Sequence, residues 1–411
     1  MAAPSSQQED VWRRETPHVL TALLQKYGDM DGCEDAVQEA LVAASEQWPV
    51  EGIPDQPRGW LIRVADRRMV DQLRRASARS NREEAVSRAS PSDKLVTPAI
   101  DEEAPADDTL LLLLLCAHPD LSVSSQVALT LRAVAGLTTA QIAAAFLVPE
   151  STMSQRISRA KTTISGAEPR FPSPEESRLG DRLAAVHHVL YVVFTEGHTA
   201  SSGDTLLDGS LAEEAIRLTR RLHQARPRDD ELTGLLALML LTHARRHART
   251  NSSGDLVPLQ HQDRLLWDDE AIGEGVAMVE SALPVGQVGP YQLQAAIAAC
   301  HSEAKTWADT DWEQITILYR MLERIAPGPA VSLNLAVAVG MSAGPVSGLE
   351  VVELLLDNTQ MVRHHRTHAV RAHLLEMAGR TGEARAAYLE AARLTRSVPE
   401  QRYLNSRAAG L

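Results

Sequence analysis

Apolar residues return every three or four positions through most of this chain, and no stretch alternates apolar and polar residues one by one. That is the period of helices, not of strands, so the pattern predicts an all-α protein. Cys33, Val37, Ala40, Leu41 and Ala44 form one apolar stripe, and Leu61, Val64, Ala65, Met69 and Leu73 form the next. The densest apolar run, Leu110 to Leu115, is closed by Pro119. It is far too short to span a bilayer and reads as a buried helix. A further helix is expected from Val123 to Ala135. From 178 onward, Ala-rich helical pairs recur to the last residue.

Two polar breaks divide the pattern. Residues 80–108 are rich in Ser, Ala, Pro and acids, a composition that buries little and suits a flexible acidic linker. Residues 166–177 carry Pro169, Pro172 and Pro174. The expected blocks are therefore 11–79, the linker 80–108, 109–165 and 178–411. The formal net charge of −13 argues against nucleic-acid binding by the whole surface, so any such contact needs locally concentrated cations. The three cysteines are far apart and lack metal spacing, which suits reduced thiols, and Met1 to Asp10 shows no signal-peptide core. A cytoplasmic protein with no membrane partner is expected.

The first block holds the missing cations. Arg63, Arg67 and Arg74 share a helix face, with Arg68 and Arg75 beside them. Such a row can neutralise phosphates and release counterions. The bland alternative is a solubilising face paired with Asp66 and Asp71, and Trp60 reads as a core residue. A Pro/Gly loop, Trp48 to Pro57, precedes this helix and can receive an unstacked base. Glu34, Asp35, Gln38 and Glu39 are expected opposite the first apolar stripe, where the bland reading is a solvated acidic face.

In the second block, Thr138 or Thr139 can cap a short helix holding Ile142, Ala143 and Phe146. Pro149 breaks the chain, and Ser151 or Thr152 opens a second helix with Met153, Ile157 and Ala160 facing inward. Two short helices with a tight turn, the second polar and basic outside, make a helix-turn-helix. Leu147 stands at a turn position where Gly is frequent. Thr152, Gln155, Arg156 and Arg159 are candidates for base edges in the major groove, and Lys161 for phosphate. The competing reading is a helical hairpin inside a larger core.

The segments Glu-Asp-Ala-Val-Gln-Glu-Ala (34–40) and Pro-Arg-Gly-Trp-Leu-Ile-Arg-Val-Ala-Asp-Arg-Arg-Met-Val-Asp-Gln-Leu-Arg-Arg (57–75) resemble conserved region 2 of the extracytoplasmic-function sigma factors. The helix-turn-helix resembles region 4 of the same family, and the two come in the family's order. The resemblance implies that Glu34, Asp35, Gln38 and Glu39 meet the β′ clamp helices of core RNA polymerase. It implies −10 promoter contacts for Pro54, Asp55, Gln56, Arg63, Arg67, Arg68 and Arg74. It implies −35 contacts for Ser151, Thr152, Gln155, Arg156, Arg159 and Lys161, with region 4 near the β flap. The family commonly has an asparagine where Asp66 or Arg67 stands here.

The third block carries no recognisable chemistry. Ala384 and Ala391 with Tyr388, in Ala378 to Leu394, look like the second helix of a tetratricopeptide repeat; Pro327 to Leu356 and Asp230 to His243 fit the mould loosely. His243 with His247, and His364 with His368, stand one turn apart without the carboxylate a zinc enzyme needs. Nucleophile motifs and phosphate-cradling loops are absent, so neither enzyme activity nor a cofactor is expected. Phe194-Thr-Glu-Gly-His-Thr-Ala-Ser-Ser-Gly203, the run from Gly234 and Gly289-Pro-Tyr-Gln resemble the C-terminal extension of one sigma subfamily. That resemblance implies a regulatory role, with an intramolecular or separate protein partner on the extension. The alternative is a helix-turn-helix regulator with a tetratricopeptide-like sensor that does not act as sigma.

Overall fold

A computed structural model describes residues 6–84, 108–146, 148–166, 179–198, 209–252, 254–283 and 288–411. Most of the expected linker, most of the 166–177 break, the turn residue Leu147 and the stretch Thr199 to Gly203 lie outside the described residues. The chain forms two compact units, Met1–Val189 and Leu190–Leu411. Among the described residues the elements are helices, and the one β pairing is an isolated bridge between Thr250 and Leu256.

The first unit opens with α1 (Ser6–Tyr27), α2 (Met30–Glu51) and α3 (Pro57–Glu84). Gly28, at φ 70°, ends α1 in a conformation that side chains disfavour. The three helices close on Leu20, Leu23, Met30, Cys33, Leu61 and Met69, all nearly inaccessible. Burial keeps the Cys33 thiol protonated, with its pKa pushed up to about 12. Trp48 joins this core, with Trp60 edge-on to it at 5.6 Å and Trp12 at 6.3 Å. Two expectations change here. Pro49 does not end α2: a proline so near the C-terminus forfeits one hydrogen bond, and the helix runs on to Gly52, whose N–H donates to Trp48 O at 3.0 Å. Leu73, expected in the core stripe, is 36% exposed, because burial along α3 stops at Met69.

Then follow α4 (Asp108–Cys116), α5 (Val123–Ala133), α6 (Thr139–Ala145) and α7 (Glu150–Ser165). The Leu-rich α4 packs on α1 and is buried from Leu112 to Cys116. Ser122 caps α5. α8 (Leu179–His198) leads into the second unit.

The second unit continues with α9 (Gly209–Ala225), α10 (Asp230–His243), α11 (Asp269–Ala282), α12 (Pro290–Glu303), α13 (Trp312–Ile325), α14 (Pro329–Ala343), α15 (Pro345–Leu356), α16 (His365–Met377), α17 (Thr381–Leu394) and α18 (Val398–Ala409). Asp229, Asp268 and Asp311 cap α10, α11 and α13 through main-chain amides at 2.8–3.1 Å. Each helix from α9 on packs against the next, which is the arrangement of a helical-repeat solenoid. In α17, Ala384 and Ala391 are fully buried and the Tyr388 hydroxyl donates to Glu376 at 2.8 Å. α10 is apolar on nearly every face because α9, α11 and α12 all cover it.

Candidate nucleic-acid interface

The arginine face of α3 forms as the spacing predicts. Arg63, Arg67, Arg68, Arg74 and Arg75 are all exposed. Asp66 does not neutralise them. It accepts from Lys26 Nζ and Tyr27 Oη, both at 2.7 Å, and so ties α3 to the end of α1. Arg68 lies 3.2 Å from Glu39, and Arg74 lies 3.9 Å from Asp71. Both contacts are exposed pairs of the kind worth at most about 1 kcal/mol, which a phosphate can replace. No described carboxylate comes within 4.0 Å of Arg67. The loop before α3 is shorter than expected, running from Gly52 to Gln56, with Asp55 and Gln56 exposed and Pro54 half-buried. Arg58 at the base of α3 donates to Glu15 at 2.9 Å, which fixes the loop's exit on α1.

The helix-turn-helix is α6 and α7. Thr138 and Gln141 cap each other: the Gln141 N–H donates to Thr138 Oγ1 at 3.1 Å, and the Thr138 N–H donates to Gln141 Oε1 at 2.8 Å. Ala143 is buried where the helices meet. α7 starts at Glu150, one residue earlier than its hydroxyl residues suggest, and Pro149 precedes it without a side-chain cap. Met153, Ile157, Ala160 and Ile164 face inward. Ser151, Thr152, Gln155 and Arg159 are exposed, and Arg156 is half-buried.

The acidic residues of α2 separate into two groups. Asp35, Gln38 and Glu39 are exposed as expected. Glu34 is only 8% exposed because α7 packs over it. Its Oε2 lies 3.2 Å from Lys161 Nζ and 3.4 Å from Arg132 Nε, and Asp31 takes Lys161 at 2.7 Å. Glu34 Oε1 is buried without a hydrogen-bond partner. Burial opposes the charge on Lys161, but Glu34 and Asp31 outweigh it and hold its pKa above the usual lysine value. Lys161, expected on phosphate, is thus occupied by α2. Arg132 and Asp31 carry no signal in the sequence, because nothing local connects them to partners on distant helices.

Residues 11–79 match the family described as Sigma-70 region 2, and residues 111–164 match Sigma-70, region 4. The chain belongs to the extracytoplasmic-function sigma factors. Residues 182–283 match a family of unknown function (DUF6596). This sigma factor is 40% identical to uncharacterized protein R00370 of Rhizobium meliloti (strain 1021), across 94% of this chain and 92% of that one. It is 30% identical to the probable ECF RNA polymerase sigma factor SigI of Mycobacterium tuberculosis (strain ATCC 25618 / H37Rv), across 48% of this chain and 64% of that one. Its long C-terminal extension is the helical second unit. No helix among the described residues is long and apolar enough to cross a membrane.

Proposed function

We propose that the sigma factor docks on core polymerase through the α2 face and opens the −10 element with α3. In this reading Glu34, Asp35, Gln38 and Glu39 meet the β′ clamp helices. Arg63, Arg67, Arg68, Arg74 and the loop around Pro54, Asp55 and Gln56 take the −10 strand. Ser151, Thr152, Gln155, Arg156, Arg159 and Lys161 take the −35 element, with α4–α7 beside the β flap. The block limits 11–79, 109–165 and 178–411, with 80–108 as a tether, follow this division of labour. The observation that carries the reading is the exposed arginine face of α3 directly behind an acidic helix. Melting traps unpaired bases in protein pockets and needs no covalent step, so the protein works beside polymerase in the cytoplasm without a catalytic residue.

Glu34 cannot reach polymerase while Lys161 and Arg132 cover it, so α7 must lift from α2 before docking. The free protein is in this sense closed, and the extension is the part that biases its opening. Run-off transcription with purified core polymerase and this protein as the sole sigma tests the central claim. Transcript from a cognate promoter is expected. DNA binding without transcript would instead fit a helix-turn-helix regulator. Truncation after Ser177 should change the transcript yield; an unchanged yield removes the regulatory role of the extension.

A further inference from the structure

Two exposed apolar features of the second unit play no part in promoter recognition, and each is flanked by the charge the other lacks. The first is a pair of leucines between α10 and α11. Leu265 is 92% exposed and Leu266 50%, on the short 3-10 turn Arg264–Leu266. This turn is pinned with both leucines outward. Asp263 caps it, accepting from the Leu265 N–H at 3.0 Å. Arg264 Nη1 donates to His301 O at 2.9 Å and to Ala304 O at 2.6 Å, at the end of α12. Trp267, the next residue, is buried, with Arg245 and Arg264 at 5.8 and 4.3 Å from its ring centre.

The second feature is a ridge on α13. Ile317, Met321 and Ile325 are 39–57% exposed and follow one another at one-turn spacing, so they form a single row along the helix. The same helix buries Ile315 and Leu322 on its other side. Single apolar side chains at a surface are ordinary, whereas a continuous row, or two neighbouring leucines held out in water, marks a contact surface. Asp263, Asp269 and Glu270 are exposed around the leucines. Arg320 and Arg324 are exposed beside the ridge, with Glu313 at its N-terminal end. Among the described residues no opposite charge lies within 4.0 Å of Asp269, Glu270, Arg320 or Arg324.

We propose that the extension forms a two-fold dimer in which Leu265 and Leu266 of each copy pack on Ile317, Met321 and Ile325 of the other, with Asp269 and Glu270 facing Arg320 and Arg324 across the contact. Leucines ringed by carboxylates fit an apolar row flanked by guanidinium groups, and every copy of the chain carries both halves. A contact between two unlike surfaces closes into a dimer when each copy both gives and receives, so the contact is made twice. Apolar packing supplies the affinity, and the charges set the partner and the register. The inference is independent of promoter recognition, because its readout is mass alone.

Sedimentation velocity of the full-length protein at concentrations up to about 100 µM tests it. A monomer–dimer equilibrium is expected. Leu265→Glu and Met321→Glu, both at exposed positions, should each weaken the dimer about 10-fold or more without lowering the melting temperature. Mixed together, these two variants should recover dimer, because one intact leucine pair then meets one intact ridge. Arg320→Glu with Arg324→Glu should also weaken the dimer, and adding Asp269→Lys with Glu270→Lys in the same chain should restore it. Leu354→Glu, at an exposed position on α15, should leave it unchanged. The interface is overturned by a protein that stays monomeric, by a dimer indifferent to Leu265→Glu or Met321→Glu, or by an equal loss in Leu354→Glu. It is equally overturned by growth into longer assemblies, or by mixed variants that form no more dimer than either alone.

Discussion

Nζ of Lys161 on α7 lies 3.2 Å from Oε2 of Glu34 on α2, and both side chains are largely buried by the contact. The helix proposed to read the −35 element thereby covers part of the surface proposed for polymerase. Arg132 shares Glu34, so losing Lys161 leaves the carboxylate partly compensated. Lys161→Ala is expected to loosen this clasp by about 1 kcal/mol, in the range of one charge-assisted hydrogen bond. In a fluorescence titration with core polymerase and no DNA, its affinity should rise roughly 5-fold. Unchanged or weaker binding would mean that α7 does not compete with polymerase for α2.

The next prediction concerns the outward face of α7. Gln155 is exposed within the first two turns, where a helix seated in the major groove presents side chains to base edges. Gln155→Ala should cost about 1–3 kcal/mol at one base pair of the −35 element and little elsewhere. Competition binding against a panel of single-base variants reads this out. A loss spread evenly over all variants would place Gln155 on the phosphate backbone.

Several of these features are legible in the amino-acid sequence because they are local. The helical period, the reciprocal cap of Thr138 and Gln141, and the small residues Ala384 and Ala391 around Tyr388 all depend on neighbours within a turn or two. Residues whose partners are distant in sequence are the ones that mislead. Glu34 looks solvated on its own helix, and only the docking of Lys161, 127 residues away, buries it. Asp66 looks like a counter-ion for its neighbouring arginines but binds Lys26 and Tyr27 instead. The Arg245–Arg249 cluster is hidden for the same reason. In sequence it is a short basic run after an apolar helix, and the contact of Arg245 and Arg264 with the Trp267 ring forms only in the fold.

Acid should weaken the extension through His301. Its ring lies 5.2 Å from that of Trp312, and its Nδ1 is buried without a partner. Burial, then Arg245 and Arg264, pull its pKa down to about 4. The unfolded chain protonates this histidine near 6.5. Between those values the unfolded state holds more protons, so stability is complete above about 6.5 and declines as pH falls toward 4. The slope reaches about 1.4 kcal/mol per pH unit for one such group. Other groups titrate in this range too, so the comparison is between wild type and His301→Phe. Thermal melts from pH 7.5 to 5 should show a shallower loss in the variant. Parallel curves would show that His301 titrates as an ordinary histidine.

Two glycines predict opposite signs for the same substitution. Gly348 lies in α15 where that helix crosses α14, and a Cβ there would stand 2.7 Å from Ala336 O and 2.8 Å from Gly340 Cα. Both are backbone atoms, so no side chain can swing away and the helices must separate. Overpacking of this kind costs about 1–3 kcal/mol, against a gain of at most about 1 kcal/mol from helix propensity. Gly348→Ala should therefore lower the melting temperature of the extension. Gly273 is an exposed position inside α11 with nothing within 4 Å of an added methyl group, so Gly273→Ala should gain about 0.5–1 kcal/mol and raise it. Calorimetry on the two variants checks the pair. Transcription assays on the same proteins then carry the point to function: if the extension must be intact to control α1–α7, Gly348→Ala should move run-off yield in the direction of the Ser177 truncation, and Gly273→Ala should not.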